Sequence, residues 1–365
     1  MGIISNRTTI LGLAAVLPQA VLSNEEIGRT FGERETASAL KMSGILERRV
    51  TNPMQHASDL ALTAAERLLR HRQFDRSLID LLVYVSQTPD YKIPTTASVL
   101  HGKLGLSLSC ATFDVNQACS AYPYALSIAH SMISSGISRY ALILNADTLT
   151  KLIHPKDRSL AVLHGDGAAA TILGPSDAES GLEGFTLGTD GSGAKSLLVP
   201  AGGSRLNYGP ETRVERTDES GCIRTDENLL MDGPAVFHFS VYKVPEAIEG
   251  ALKELRLTMG DIDQMILHQA NKTMMEMIYK RLRVPTEKQF FCLESMGNIS
   301  GASTPVALAE AWRQRRIRPG SRTLMCSFGA GLTWGVAVIK WPENANPVPD
   351  LDPVVSDEEM LSAAL

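Results

Sequence analysis

Two kinds of apolar pattern alternate along the chain. Short runs of consecutive apolar residues read as strands: Thr8–Leu17, Leu81–Ser86, Tyr140–Asn145, Ala168–Leu173, Met265–His268, Thr323–Ser327 and Gly335–Trp341. Between them, apolar positions recur at helical spacing. Ser58 or Asp59 is placed to cap a helix through His71, with Leu60, Ala64 and Leu68 on one face. Residues 120–135 form an apolar helical stretch that ends at Gly136. Residues 235–255, 271–283 and 303–316 read as further helices, the last two amphipathic. This alternation predicts layered α/β architecture rather than a bundle or a sandwich.

The pattern also repeats. Ile79-Asp80-Leu81-Leu82-Val83-Tyr84-Val85-Ser86-Gln87 returns as Ile262-Asp263-Gln264-Met265-Ile266-Leu267-His268-Gln269-Ala270, an offset of 183 residues. At the same offset Ser138-Arg139, before one strand, returns as Ser321-Arg322 before another. Two copies of one α/β unit are therefore expected, residues 1–176 and 177–341, with a site where they meet. Residues 200–225 are polar and read as an excursion over the surface. Residues 342–365 hold four prolines and several acids with no core pattern, which predicts a mobile or loosely docked tail.

The composition is that of an ordinary globular chain of 365 residues, with 35 Lys and Arg against 40 Asp and Glu. That mildly acidic balance, without a basic tract, argues against nucleic acid as a partner. No apolar run reaches the roughly 18 residues of a membrane span. The start Met1–Arg7 lacks the marks of a signal peptide or a myristoylation site, so a cytoplasmic location is expected. Five cysteines without a Cys-x-x-Cys pair, and eight scattered histidines, point away from a disulfide framework and from any metal site.

One cysteine stands apart. Cys119 follows the strand-like Ala111–Val115 and immediately precedes the helix of residues 120–135, with Pro123 in its first turn. The orphan N–H groups and partial positive charge of a helix start favour a thiolate, so a lowered pKa is expected. Cys110, Cys292 and Cys326 lie in or beside strands and read as small core residues, and Cys222 falls in the polar excursion. His268 closes a strand before Gln269-Ala270-Asn271, which opens a helix, and can serve as a neutral hydrogen-bond donor. Asn298, Gly165-Asp166-Gly167-Ala168 and Phe328-Gly329-Ala330-Gly331-Leu332 are, taken singly, turn or capping signals.

Taken together and in order, these segments resemble the β-ketoacyl-acyl-carrier-protein synthase III branch of the thiolase-fold condensing enzymes. The resemblance runs through Phe113-Asp114-Val115-Asn116-Gln117-Ala118-Cys119-Ser120, Asp157-Arg158-Ser159, Gly165-Asp166-Gly167-Ala168-Ala169 and Met231-Asp232-Gly233. It continues through His268-Gln269-Ala270-Asn271, Gly297-Asn298-Ile299-Ser300 and Phe328-Gly329-Ala330-Gly331-Leu332-Thr333-Trp334-Gly335. It implies a duplicated thiolase fold in five layers, αβαβα. It implies decarboxylative condensation of a cysteine-bound acyl group with a malonyl thioester, with no cofactor, and a homodimer. The runner-up is an acyltransferase to a hydroxyl or amine on the same fold; a non-catalytic subunit of a heteromeric synthase is a third reading.

By the same resemblance, Cys119 is the acyl-accepting nucleophile, and His268 with Asn298 bind the malonyl carbonyl. The N–H groups of Cys119 and Ala330 form the oxyanion hole, and Phe328 walls the pocket. Arg158 and Asn271 contact the pantetheine-phosphate arm, and Ile93 is the acyl-gating residue, reaching across the dimer interface. His164 stands where similar enzymes usually have Phe, and it either reshapes the acyl pocket or is a core histidine hydrogen-bonded to a nearby carbonyl. The Trp and Arg that clamp the coenzyme A adenine in initiating enzymes are here Ser38 and Met42, a further coenzyme contact is Pro234, and a basic docking residue is Thr273 beside Lys272. Acyl-carrier-protein thioesters, or unusual donors, are therefore expected over acetyl-CoA, in a specialised pathway.

Overall fold

A computed structural model describes residues 8–176, 179–349 and 351–364. The reading of Met1–Arg7 as leaderless lies outside the described residues. Strand β1 (Thr8–Pro18) is followed by a small ribbon, β2 (Val21–Ser23) with β3 (Glu47–Arg49), which brackets helices α1 (Asn24–Phe31) and α2 (Glu33–Ser43). Helix α1 begins where a capping box forces it to: Ser23 and Glu26 exchange side-chain and backbone hydrogen bonds. Next come α3 (Ala57–Arg72), β4 (Leu81–Val85), α4 (Thr96–Leu104), β5 (Ala111–Val115), α5 (Ala121–Ser134), β6 (Ala141–Thr148), the short α6 (Arg158–Ala161) and β7 (Asp166–Pro175). Helix α3 starts two residues before the earlier of the expected caps would allow: His56 is its cap, and Asp59 accepts the His56 N–H from the third position.

The second half runs β8 (Gly181–Thr189), the two-residue strands β9 (Leu197–Leu198), β10 (Arg216–Thr217), β11 (Ile223–Arg224) and β12 (Leu230–Met231), then α7 (Gly233–Glu254), β13 (Gln264–Leu267) and α8 (Lys272–Arg281). It closes with α9 (Ser303–Arg313), β14 (Arg322–Gly329), β15 (Thr333–Lys340), β16 (Val354–Val355) and α10 (Asp357–Ala364). The first sheet has the order β16-β1-β7-β6-β4-β5 and the second β13-β14-β15-β8. In the first, β4 is parallel to β6, and β6, β7 and β1 are successively antiparallel. In the second, β13 is parallel to β14, and β14, β15 and β8 are successively antiparallel. Pairing order and sense thus recur, as a duplicated α/β fold requires.

The repeated aspartate has the same local task in both halves. The Asp80 carboxylate accepts the N–H groups of Arg139 at 2.8 Å and Tyr140 at 3.1 Å, where β6 begins. Asp263 accepts the N–H of Arg322, where β14 begins, at 2.7 Å. Each carboxylate therefore fixes the start of the neighbouring parallel strand, which is why the pair recurs at one offset.

Helices α5 and α9 lie between the sheets and supply Ala125, Leu126, Ala307 and Leu308 to a core shared with both. Helices α3 and α4 cover the outer face of the first sheet, and α7 and α8 that of the second. The result is the five-layer αβαβα stack, with the N-terminus of α5 delivered to the middle of the molecule.

One expectation is corrected. The tail is not loosely held: β16 pairs in parallel with β1, the Leu17 N–H donates to the Pro353 carbonyl at 2.8 Å, and Val355 and Met360 are buried. Arg67 on α3 forms an ion pair with Glu359. The polar excursion runs over the surface as expected, and it is pinned there because Arg224 on β11 pairs with buried Asp157 at the start of α6 and with Asp218 at 2.9 Å. Among the described residues no helix is long and apolar enough to cross a membrane.

Candidate active site

The turn that carries Cys119 is built to bring backbone close to it. Residues Ala118–Ser120 form one 3-10 turn ahead of α5, and Ala118 takes φ 48°, a left-handed value that L residues seldom adopt. On the opposite side the β14–β15 turn presses Gly329 against the cysteine. A Cβ at Gly329 would lie 2.7 Å from the Cβ of Cys119, so only glycine permits this approach. The Oγ atoms of Ser120 and Thr333 are 2.7 Å apart and tie the two turns together.

Cys119 is buried at the foot of a cavity of about 700 Å³ that also takes in His268, Asn298, Phe328, Asn271 and His164. The upper walls are apolar, with Leu149, Leu152, Leu197, Leu229 and Met231 prominent among them. The β9–β12 ribbon carries Leu197 and Met231 to this wall.

The expected low thiol pKa is not what the site provides. Burial pushes the Cys119 thiol up to about 12, against a partial offset from the hydroxyl of Ser300 at 3.6 Å. Desolvation of a thiolate in this dry recess outweighs the field of the helix terminus. The resting thiol is therefore neutral.

His268 extends the β13 ladder by one residue, its N–H donating to the Cys326 carbonyl at 2.8 Å. Its Nδ1 is 2.6 Å from the Oγ of Ser303, the first residue of α9. That hydroxyl accepts the Gln269 N–H at 3.0 Å, and with Nδ1 the acceptor within its reach we assign its own proton there. The imidazole proton consequently sits on Nε2. Burial, with the nearby His164 ring adding to it, pushes the His268 pKa down to about 3, so the ring is a neutral donor at physiological pH. The Phe328 ring meets it edge to face, centroids 5.5 Å apart.

The Asn298 carboxamide is oriented by its own turn: Oδ1 accepts the Ser300 N–H at 3.0 Å, leaving Nδ2 as the group it offers to the cavity. Its backbone is bridged to residues 163–165, donating to the Leu163 carbonyl at 2.8 Å and accepting the Gly165 N–H at 3.0 Å. Asn271 lines the cavity while its Oδ1 caps α8 by accepting the Met274 N–H at 2.8 Å.

Three sequence-derived candidates lie elsewhere. The guanidinium of Arg158 donates to the Ser220 carbonyl in the excursion and is outside the cavity lining. Ile93 is 89% exposed and is outside this chain's cavity lining. Ala330 sits beside Gly329 in the turn, its carbonyl accepting the Thr333 hydroxyl at 2.7 Å, without reaching the lining. Conversely, the polar support under the cysteine was missed, although Ser300 and Gln87 stand in segments already singled out. The Ser300 hydroxyl donates to Gln87 Oε1 at 3.0 Å. Asp147 accepts N–H groups of Gln87 at 2.7 Å and Gly301 at 3.2 Å. Burial raises the Asp147 pKa to about 6. These contacts span sequence separations that no local motif encodes. Among the described residues no cluster of His, Cys, Asp or Glu could hold a metal ion.

Paired neutral donors opposite a buried thiol can stabilise negative charge on a thioester oxygen, and the adjoining apolar walls can hold a carbon chain. Comparison with known proteins agrees. Residues 113–191 match the family model 3-oxoacyl-[acyl-carrier-protein (ACP)] synthase III, and residues 252–341 match the model of its C-terminal part. The β-ketoacyl-[acyl-carrier-protein] synthase III of Caldanaerobacter subterraneus subsp. tengcongensis is 38% identical over 91% of this chain and 97% of its own. A 3-oxoacyl-(acyl-carrier protein) synthase from Burkholderia xenovorans LB400 superposes with a TM-score of 0.87 at 30% identity, over 96% of this chain and 97% of that one. The priming β-ketosynthase of the R1128 polyketide pathway gives 0.80 at 29% identity, over 95% and 99%.

Proposed function

The chain belongs to the β-ketoacyl-[acyl-carrier-protein] synthase III family, and on that premise we propose that it joins a cysteine-bound acyl group to a malonyl thioester by decarboxylative Claisen condensation. The observation that carries this reading is the shared cavity: a buried thiol at its foot and two neutral donors, His268 Nε2–H and Asn298 Nδ2–H, on its wall.

In the first half-reaction the Cys119 sulfur adds to the donor's thioester carbonyl. The pantetheine sulfur leaves, taking up the thiol proton as it becomes a thiol. The N–H of Cys119, in the turn that leads into α5, serves the tetrahedral oxyanion. Because the resting thiol is neutral, the helix terminus of α5 acts on the thiolate only as it forms. In the second, malonyl thioester loses carbon dioxide, and the electron pair of the broken C–C bond becomes an enolate. His268 and Asn298 stabilise that oxyanion, a task for which a carboxylate is unsuited because it repels the charge. The enolate carbon then attacks the Cys119 thioester and expels the sulfur as a thiolate, which takes up a proton from solvent to restore the neutral thiol. Phe328 keeps water from the malonyl carboxylate, which favours its loss.

Carrier-protein donors fit the mouth of the cavity better than coenzyme A. Met42 is half exposed and Pro234 stands in the first turn of α7, so neither offers an adenine a stacking or charged partner. Exposed Lys272, paired with Glu294 at 3.1 Å, is a basic group for an acidic carrier. The edge strand β5 and the exposed Ile93 support a homodimer, and five unpaired cysteines suit the reducing cytoplasm.

Intact mass spectrometry with acyl-carrier-protein and acyl-CoA donors, followed by carbon dioxide release from malonyl-carrier protein, tests the proposal. Cys119→Ala is expected to abolish the acyl mass gain. His268→Ala and Asn298→Ala are expected to keep acyl loading and to slow carbon dioxide release by about 100- to 1,000-fold each. Loading without carbon dioxide release in the wild type would move the protein to the acyltransferase reading, and no loading at all to a non-catalytic subunit.

A further inference from the structure

Ser300 is fully buried and outside the cavity lining, yet its hydroxyl touches the nucleophile: the Cys119 thiol donates to Ser300 Oγ across 3.6 Å. The Ser300 proton goes on to Gln87 Oε1 at 3.0 Å. Beside this chain of bonds stands Asp147 of β6, only 1% exposed. Its carboxylate accepts from uncharged groups: the N–H of Gln87 at 2.7 Å, the Ser86 hydroxyl at 3.2 Å and the N–H of Gly301 at 3.2 Å. The Ser300 hydroxyl acts on the same carboxyl, and with these donors it restrains the rise in pKa that burial causes.

Acyl loading needs a proton acceptor at this place, because a thiol held neutral by burial must lose its proton as its sulfur attacks. His268 does not serve: its Nδ1 is engaged by Ser303 and its Nε2 carries a proton. The amide oxygen of Gln87 orients the Ser300 hydroxyl but is too weak a base to keep a proton. We infer that Ser300 and Asp147 form a proton relay for acyl loading, Ser300 taking the Cys119 proton while it passes its own to the Asp147 carboxylate. This inference rests on the condensing reading of the site and deepens its first half-reaction. As the Cys119 S–H bond breaks, the sulfur bonds to the thioester carbon. When the tetrahedral intermediate collapses, the bond to the pantetheine sulfur breaks, and that sulfur takes a proton from Ser300. Ser300 recovers its own from Asp147, so the carboxylate ends ionised and the protons balance. Ser300 touches the reacting sulfur, and Asp147 acts through it. The titratable groups that face the carboxylate are Cys119 and, on β4, Tyr84, and both are pushed up and stay neutral at physiological pH.

The test reads single-turnover mass gain at Cys119 from one acyl-carrier-protein donor between pH 5 and 8, for the wild type, Asp147→Asn and Ser300→Ala. Carbon dioxide release from malonyl-carrier protein is then timed on each protein after long incubation has acylated it. Wild-type loading is expected to rise with pH to about 6 and to level off above, as the carboxylate ionises. Both variants are expected to load about 100-fold or more slowly, and Asp147→Asn to lose the rise with pH. Carbon dioxide release is expected to change less than about threefold, since enolate formation needs no proton from Cys119 and Ser300→Ala keeps the N–H that orients Asn298. Wild-type loading rates in either variant overturn the inference, as does a pH rise that survives in Asp147→Asn. Equal slowing of loading and carbon dioxide release also overturns it, because Asp147 would then only brace the turn that carries Asn298. Loading without carbon dioxide release in the wild type overturns the condensing reading alone, since the relay is judged on loading, and a wild type that loads no donor overturns both.

Discussion

The two buried imidazoles give the site a pH signature of their own. His268 and His164 are held neutral by burial, with pKa values near 3 and 4 against an ordinary 6.5. The unfolded chain therefore binds protons that the folded protein excludes as pH falls from about 6.5 toward 4. Stability falls with it, by up to about 1.4 kcal/mol per pH unit for each ring. Asp147 works in the opposite sense: its pKa is raised to about 6, so its contribution is fully present below its unfolded value near 3.8 and is lost as pH rises through 6. His164→Phe removes one histidine and leaves Asp147, so urea midpoints of this variant are expected to decline less steeply than the wild type between pH 6 and 4.5. Parallel declines would mean that His164 titrates normally in the folded protein. Cys119, His268, Asn298 and Phe328 were legible in the sequence because each sits in a short motif whose local turn or strand end aims it at the cavity. Ser303, Ser300 and Gln87 were not, because their partners are set by packing between the halves. The thiol pKa went astray for a related reason: a helix start is visible in sequence, whereas the desolvation that outweighs it belongs to the folded interior.

At the scale of elements, most long strands and helices followed their apolar patterns, but β8 (Gly181–Thr189), α2 and α4 did not show in them, and neither did the tail. Two paired residues in β16 and one short helix are too little for a period to show. What holds them is long-range: the Leu13 and Leu17 N–H groups donate to the carbonyls of Pro347 and Pro353, and Val355 and Met360 enter the core beside α3. Prolines suit this role, since a chain that only accepts hydrogen bonds here needs no N–H of its own. Ending the chain at Asn346 uncovers this face of α3 and β1. Burial of the two side chains alone is worth about 3–6 kcal/mol, and the truncated protein is expected to melt about 5–10 °C lower by calorimetry. An unchanged Tm would show that the tail lies on the body without stabilising it.

At the scale of the molecule, the unused surfaces are as telling as the filled cavity. β5 ends its sheet with one side of its backbone unpaired and its residues only half covered, although it leads directly to the nucleophile. A five-residue edge strand at the heart of a fold is a template for pairing unless something covers it. A second copy of the chain, placed about a two-fold axis, would cover it with the same strand. Ile93, 89% exposed, and Leu108, 99% exposed, are apolar groups left in water by the isolated chain. If Ile93 limits acyl length, it does so in the partner's cavity, because in its own chain it faces solvent. Ile93→Trp co-expressed with Cys119→Ala separates the two cases, since intact mass distinguishes the chains. Alone, the Ile93→Trp protein is expected to load short donors and to lose the longest one the wild type accepts. In the mixed dimer its Cys119 meets an unaltered Ile93 from the partner, and loading of the long donor on the Ile93→Trp chain is expected to return. Were the gate internal to each chain, that chain would stay restricted whatever its partner. A monomer by sedimentation at micromolar concentration would dispose of the shared gate and the covered edge together.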